Sequence, residues 1–195
     1  MKIFRMLPIL LLVGCAFGVI DRTAEQVALL EECYSIVKPA FLYEARCADL
    51  NSRGFGNSKF CTGIQGFDPL PYIRPDGSKY EYQYPKSWSE YISDREMWDS
   101  QMFNKLLFEK QRTIIAPIDV GIRIHVIDIY EYPRGETGHV LVGRARIASG
   151  EHQNTIVELP SPGGFSDTGP SWLKHWFYPD SGDIQLSEEY LQPCY

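Results

Sequence analysis

The chain has 195 residues and a formal net charge of −6, from 19 basic and 25 acidic side chains. That length holds one domain, or one domain with a small appendage, and 44% hydrophobic with 23% charged residues excludes an intrinsically disordered chain. The acidic balance argues against nucleic-acid binding through the overall field and leaves only a local basic patch.

Residues 1–18 read as a secretory signal. Lys2 and Arg5 form a positive start, Leu7 to Val13 is a short apolar core broken by Pro8, and Ala16 with Gly18 are small residues at a cleavage site; Gly14 with Ala16 offers an earlier one. The run is too short to span a bilayer, and no later segment reaches the roughly 20 apolar residues that a spanning helix needs. No transmembrane segment is expected. Without its first eighteen residues the chain carries 17 basic against 25 acidic side chains, a net charge of −8. Leu12-Val13-Gly14-Cys15 resembles a bacterial lipobox, so the alternative to a secreted extracellular protein is one lipid-anchored at a bacterial envelope through Cys15.

Thr23 with Gln26 makes a capping box, and Val27, Leu30, Tyr34 and Val37 recur at helical spacing until Pro39. A second short helix is expected from Phe41 to Leu50, then a loop over 51–69. Tyr72 to Tyr84 reads as a hairpin turning at Pro75-Asp76-Gly77. Ser87 with Glu90 and Ser93 with Glu96 are overlapping capping boxes for a helix whose Trp98, Met102 and Leu106 read as core.

Cys33, Cys47, Cys61 and Cys194 remain after the signal, an even number in an oxidising compartment, so two disulfides are expected. Each of the three connectivities ties Cys194 back to one of the N-terminal three. The absence of CxxC spacing, with no His near Cys33, Cys47 or Cys61, argues against a metal site.

The period changes to two after Ile114. Ile118, Val120, Ile122, Ile124 and Val126 share one face, and Asp119, Gly121, Arg123 and His125 the other. His139 to Ser149 is the returning strand, Asn154 to Leu159 a third, and Pro160 to Gly182 an irregular wrap. If the hairpin buries Leu141, Ala145 and Ile147 with Ile124 and Val126, then opposed residue numbers sum to about 271. Arg123, His125, Arg144 and Arg146 then gather on the outer face, a stripe suited to an anionic ligand. The same register puts Asp128 on the core side, opposite Gly143.

Among His125, His139, His152 and His175 there is no HExxH, and GxSxG and phosphate-loop patterns are absent. Asp180-Ser181-Gly182-Asp183 lacks EF-hand spacing and reads as a turn. The aromatic segment 171–178 supplies Trp172 and Trp176 either as rings for a ligand or as core.

The expected fold is α+β: N-terminal helices and a hairpin, then an antiparallel sheet, with a small sandwich as one way to close it, all stapled by disulfides. The organisation is a signal over 1–18, a disulfide-linked helical and loop region over 19–70, and a sheet domain with its wrap over 71–195. The expected function is non-enzymatic recognition of an extracellular protein or anionic ligand through Arg123, His125, Arg144 and Arg146 or through Trp172 and Trp176. The alternative is a small secreted hydrolase built on His175 or His125 with a nearby carboxylate. No cofactor, metal or nucleic acid is called for.

Overall fold

The computed structural model describes residues 18–47, 59–67, 72–73, 79–80, 85–99, 113–135, 138–161, 171–175 and 178–195. Among these, most of the regular structure is β-sheet, with a few short helices. In chain order the elements are β1 (Ile20–Asp21), a 3-10 turn (Thr23–Glu25), α1 (Val27–Glu31), β2 (Tyr34–Ile36), β3 (Ala40–Cys47), β4 (Lys59–Gly66), β5 (Tyr72–Ile73) and β6 (Lys79–Tyr80). There follow α2 (Trp88–Ser93), β7 (Thr113–Ile118), β8 (Arg123–Gly135), β9 (Gly138–Ile147), β10 (Ile156–Leu159) and β11 (Leu191–Pro193). One sheet runs β11-β2-β8-β9-β10-β4-β3-β7, with β1 also paired to β8; β5 and β6 form a separate small hairpin where one is expected. The hairpin's turn residues, with Tyr82 and Tyr84, lie outside the described residues.

The two N-terminal helices of the sequence reading do not form as expected, and residues 48–50 of the second lie outside the described residues. Helix α1 stops at Glu32, whose backbone is extended at φ −85° and ψ 145°, and Tyr34 to Ile36 becomes a strand. The β pairing wins because it buries Tyr34 and Ile36 between β11 and β8, more than a short isolated helix offers. Residues 41–47, read as helix, lie in β3. Ala40 to Tyr43 are four consecutive buried residues, a run that periodicity cannot divide between helix and strand. Ala40 and Leu42 face one apolar cluster while Phe41 and Tyr43 face another, so both sides of β3 are covered. Within the expected 51–69 loop, Lys59–Gly66 is a strand, and 51–58 and 68–69 lie outside the described residues.

Helix α2 begins where its capping box predicts: the Ser87 hydroxyl accepts from the Glu90 amide at 3.2 Å. The next turn is capped by Asp94, which accepts from the Met97 amide at 3.2 Å, rather than by Ser93. Met102 and Leu106 lie outside the described residues.

The alternating run after Ile114 is two strands, not one. Gly121, at φ +90°, breaks it in a turn that sends β7 to the sheet's far edge and leaves Val120 56% exposed rather than in the core. Both terminal strands of the sheet carry a proline, Pro117 in β7 and Pro193 in β11, which removes a donor from each open edge.

The larger cluster lies on one face, where Ile36, Ile124, Ile129, Leu141, Ala145, Ile147 and Val157 are fully buried. Leu29 of α1 and the C-terminal residues Trp172, Leu173, Ile184, Leu186 and Tyr190 cover it. Each large aliphatic side chain there contributes about 1.5–3 kcal/mol. The smaller cluster, on the opposite face under α2, joins Phe41, Tyr43, Phe67, Tyr91, Trp98 and Ile114. A disulfide links Cys33 to Cys194 with Cα atoms 5.3 Å apart, closing the end of the chain onto its beginning as expected. Cys61 is disulfide-bonded as well, and the β3–β4 register sets Cys47 diagonally across from it, opposite Lys59.

Candidate functional site

The β8–β9 register is built by side-chain pattern and then altered by a bulge. Ile124 faces Ile147, His125 faces Arg146 and Val126 faces Ala145, all with the expected sum of 271. Between Val126 and Asp128 the register slips by one, so Asp128 faces Arg144 and Ile129 faces Gly143. A one-residue slip exchanges the two faces, which sends Ile129 into the core and takes Asp128 out of it. The placement of Asp128 opposite Gly143 is therefore corrected. The bulge turns a carboxylate that an ideal hairpin would bury toward an arginine.

On the outer face three rows cross the strands. In the first, Ser35 of β2 pairs with Arg123. In the second, His125, Arg146 and Ile156 lie side by side on β8, β9 and β10. The third is Asp128, Arg144 and Glu158, an acidic residue on the strand to either side of one arginine.

Arg144 is committed. Its Nε donates to Asp128 Oδ1 at 2.7 Å and its Nη2 to Oδ2 at 2.5 Å, a forked pair, with the Tyr130 ring 5.3 Å away. The Asp128 hydrogen bonds raise its already high pKa further. Arg22 and Arg95 likewise meet carboxylates, on Glu131 at 2.9 Å and Asp99 at 3.5 Å. Arg123 and Arg146 are exposed, and among the described residues neither meets a carboxylate. Their backbone is held: the Arg123 amide donates to Ser149 Oγ at 2.9 Å and its carbonyl accepts from Ala148 at 2.7 Å, and Arg146 is paired between His125 and Ile156 in the sheet. His125 stands between them, half-buried. The arrangement presents two forked donor sets and an imidazole on a rigid, open sheet face.

The other candidates are placed differently. Trp172 is fully buried and stacks on Tyr190, centroids 5.6 Å apart, so its ring belongs to the core. Trp176 lies outside the described residues. His175 is half-buried, and no carboxylate among the described residues hydrogen-bonds to it or to His125. Gly182 at φ +79° makes the Asp180–Asp183 turn, and its carbonyl accepts from Gln26. No cluster of three metal-binding side chains occurs among the described residues.

Sequence reasoning missed a polar clamp between the two ends of the chain. Arg22 pairs with Glu131, which is only 5% exposed, and lies 4.3 Å over the Tyr178 ring. The Tyr178 hydroxyl donates to Glu25 at 2.8 Å and accepts from Gln26 at 2.9 Å, while Gln26 Oε1 accepts from the Ile184 amide at 3.1 Å. Gln26 in the capping box was the only local signal, and the structure uses it across the fold instead. A scan against protein-family models finds no match, and neither do searches of the curated proteins and of the solved structures.

Proposed function

We propose that this chain is an exported binding domain that recognises an anionic ligand or the acidic surface of a protein partner through Arg123, His125 and Arg146. One observation carries the reading. In a chain of net charge −6, Arg22, Arg95 and Arg144 are each paired with a carboxylate, while these two stand exposed and, among the described residues, unpaired beside a histidine. Leaving two like charges adjacent on one face costs repulsion that a nearby Asp or Glu would remove, so the arrangement suits a partner that supplies the negative charge. Arg144 serves differently: held by Asp128, it fixes the third row. The acids flanking it repel an anion and confine the ligand to the first two rows.

Export is supported by the signal-like residues 1–18 and by the Cys33–Cys194 disulfide, a bond that persists in oxidising compartments. Among the described residues no helix is long and apolar enough to cross a membrane. The expected test is binding of a sulfated hexasaccharide and of hexa-aspartate, measured by calorimetry. Arg123→Gln with Arg146→Gln should weaken whichever probe binds at least tenfold, whereas Lys86→Gln, an exposed cation on the approach to α2, should leave it unchanged. Equal losses for both changes would reduce the interaction to net charge and contradict the assigned face.

A further inference from the structure

The N-terminal turn carries a second surface that the sheet face does not use. Asp21, Thr23, Ala24, Val27, Leu30 and Glu31 line an open depression of about 530 Å³. Ala24, Val27 and Leu30 make its aliphatic part, and two carboxylates border it. Val27 is 56% exposed, although helical spacing assigns it to the buried stripe; Leu29 takes that place instead. An exposed aliphatic at this position contributes nothing to the core.

The depression is held in shape. The Arg22 amide donates to the Ile129 carbonyl at 2.9 Å, the Thr23 hydroxyl accepts from the Ile129 amide at 3.2 Å, and Gln26 is locked to the C-terminal segment. A partner therefore meets a preformed groove and spends little free energy ordering it. Asp21 accepts from the Thr23 amide at 2.9 Å, and its hydrogen bonds to Thr23 hold its pKa below the usual carboxylate value, so its charge is present near neutrality. Glu31 has no cationic partner among the described residues.

We infer that this groove docks a segment of a partner protein that presents a lysine or arginine next to an aliphatic side chain. The aliphatic group covers Ala24 and Val27, and the cation answers Asp21 and Glu31. Charge complementarity selects this occupant. A purely apolar segment would desolvate two carboxylates without compensation, and an anionic one would be repelled.

The test uses the full chain with its disulfides intact and an end-blocked hexapeptide alternating leucine and arginine, followed by fluorescence anisotropy. Val27→Ser should weaken binding at least fivefold by removing the aliphatic anchor, and Glu31→Gln should do so by removing charge. Glu96→Gln, an exposed acid on the other side of the sheet, should change nothing. Both groove substitutions lie at exposed positions, so circular dichroism should be unaltered. The proposal is overturned if the peptide does not bind, if Val27→Ser leaves affinity unchanged, or if Glu31→Gln and Glu96→Gln weaken it equally. Persistence of this binding in the Arg123→Gln, Arg146→Gln protein separates it from the sheet-face reading.

Discussion

Replacing Cys33 and Cys194 together by serine should remove about 3–5 kcal/mol of unfolding free energy, the largest single loss expected here. The bond spans a sequence separation of 161, and a chain-entropy estimate for closing that loop in the denatured state is about 5 kcal/mol. Its location adds a native-state component. Strand β11 has three residues at the sheet edge and is joined to β2 beside the bridge, where the Cys194 amide donates to the Cys33 carbonyl at 2.8 Å. If β11 frays, Tyr190 and Leu191 lose cover, and Trp172 loses the ring stacked on it. Denaturant unfolding should therefore show a lower midpoint, with amide exchange faster around 186–194 than in the β8–β9 hairpin. A loss below about 1 kcal/mol would mean that the ends already associate in the unfolded chain. A non-reducing peptide map of the native protein should show Cys33 with Cys194 and Cys47 with Cys61.

Gly63→Val should cost about 3 kcal/mol, because the glycine is where a tyrosine ring lies across the sheet. A Cβ on residue 63 would stand 2.2 Å from Tyr43 Cζ and 2.4 Å from its hydroxyl oxygen. Tyr43 is buried beside Phe41, the two ring centroids 6.2 Å apart, so the ring has to leave the second cluster rather than swing aside. Gly63 also pairs with Tyr43 on β3 and with Glu158 on β10, which joins the two halves of the sheet. If the ring is the cause, Gly63→Val in a Tyr43→Ala background should cost less than about 1 kcal/mol further, a strongly non-additive cycle. Additive losses would place the requirement in the backbone of β4 instead.

These particulars also mark how far pattern reading reaches. The β8–β9 pairing was legible because two alternating runs have only one register that buries both apolar faces. It stayed legible up to Val126 and failed at Asp128, since a bulge is a one-residue insertion with no signature in a run as apolar as Val126-Ile127. The N-terminal helices failed for a different reason. Tyr34 to Val37 and Phe41 to Tyr43 fit helix and strand alike, and long-range pairing with β8, β4 and β7 decided between them.

At the candidate site, the gathering of Arg123, His125, Arg144 and Arg146 on one face followed from alternation. Which arginines are free did not follow, because it depends on where the bulge turns Asp128. The groove beside Val27 was hidden by the same helical spacing that assigned Val27 to the core. The clamp of Arg22, Glu131, Gln26 and Tyr178 joins residues more than a hundred positions apart, and its one local trace, Gln26 in a capping box, points to a different role.

The central claim is that a ligand's negative charge is met by the first two rows of the sheet face. Amide chemical-shift mapping of the isotope-labelled, disulfide-intact protein tests it most directly, titrated separately with the sulfated hexasaccharide and with hexa-aspartate. At least one titration should shift amides over 123–126 and 145–147, with smaller changes at Asp128 and Arg144. Shifts confined to other surfaces, or none with either probe, would contradict recognition by Arg123, His125 and Arg146.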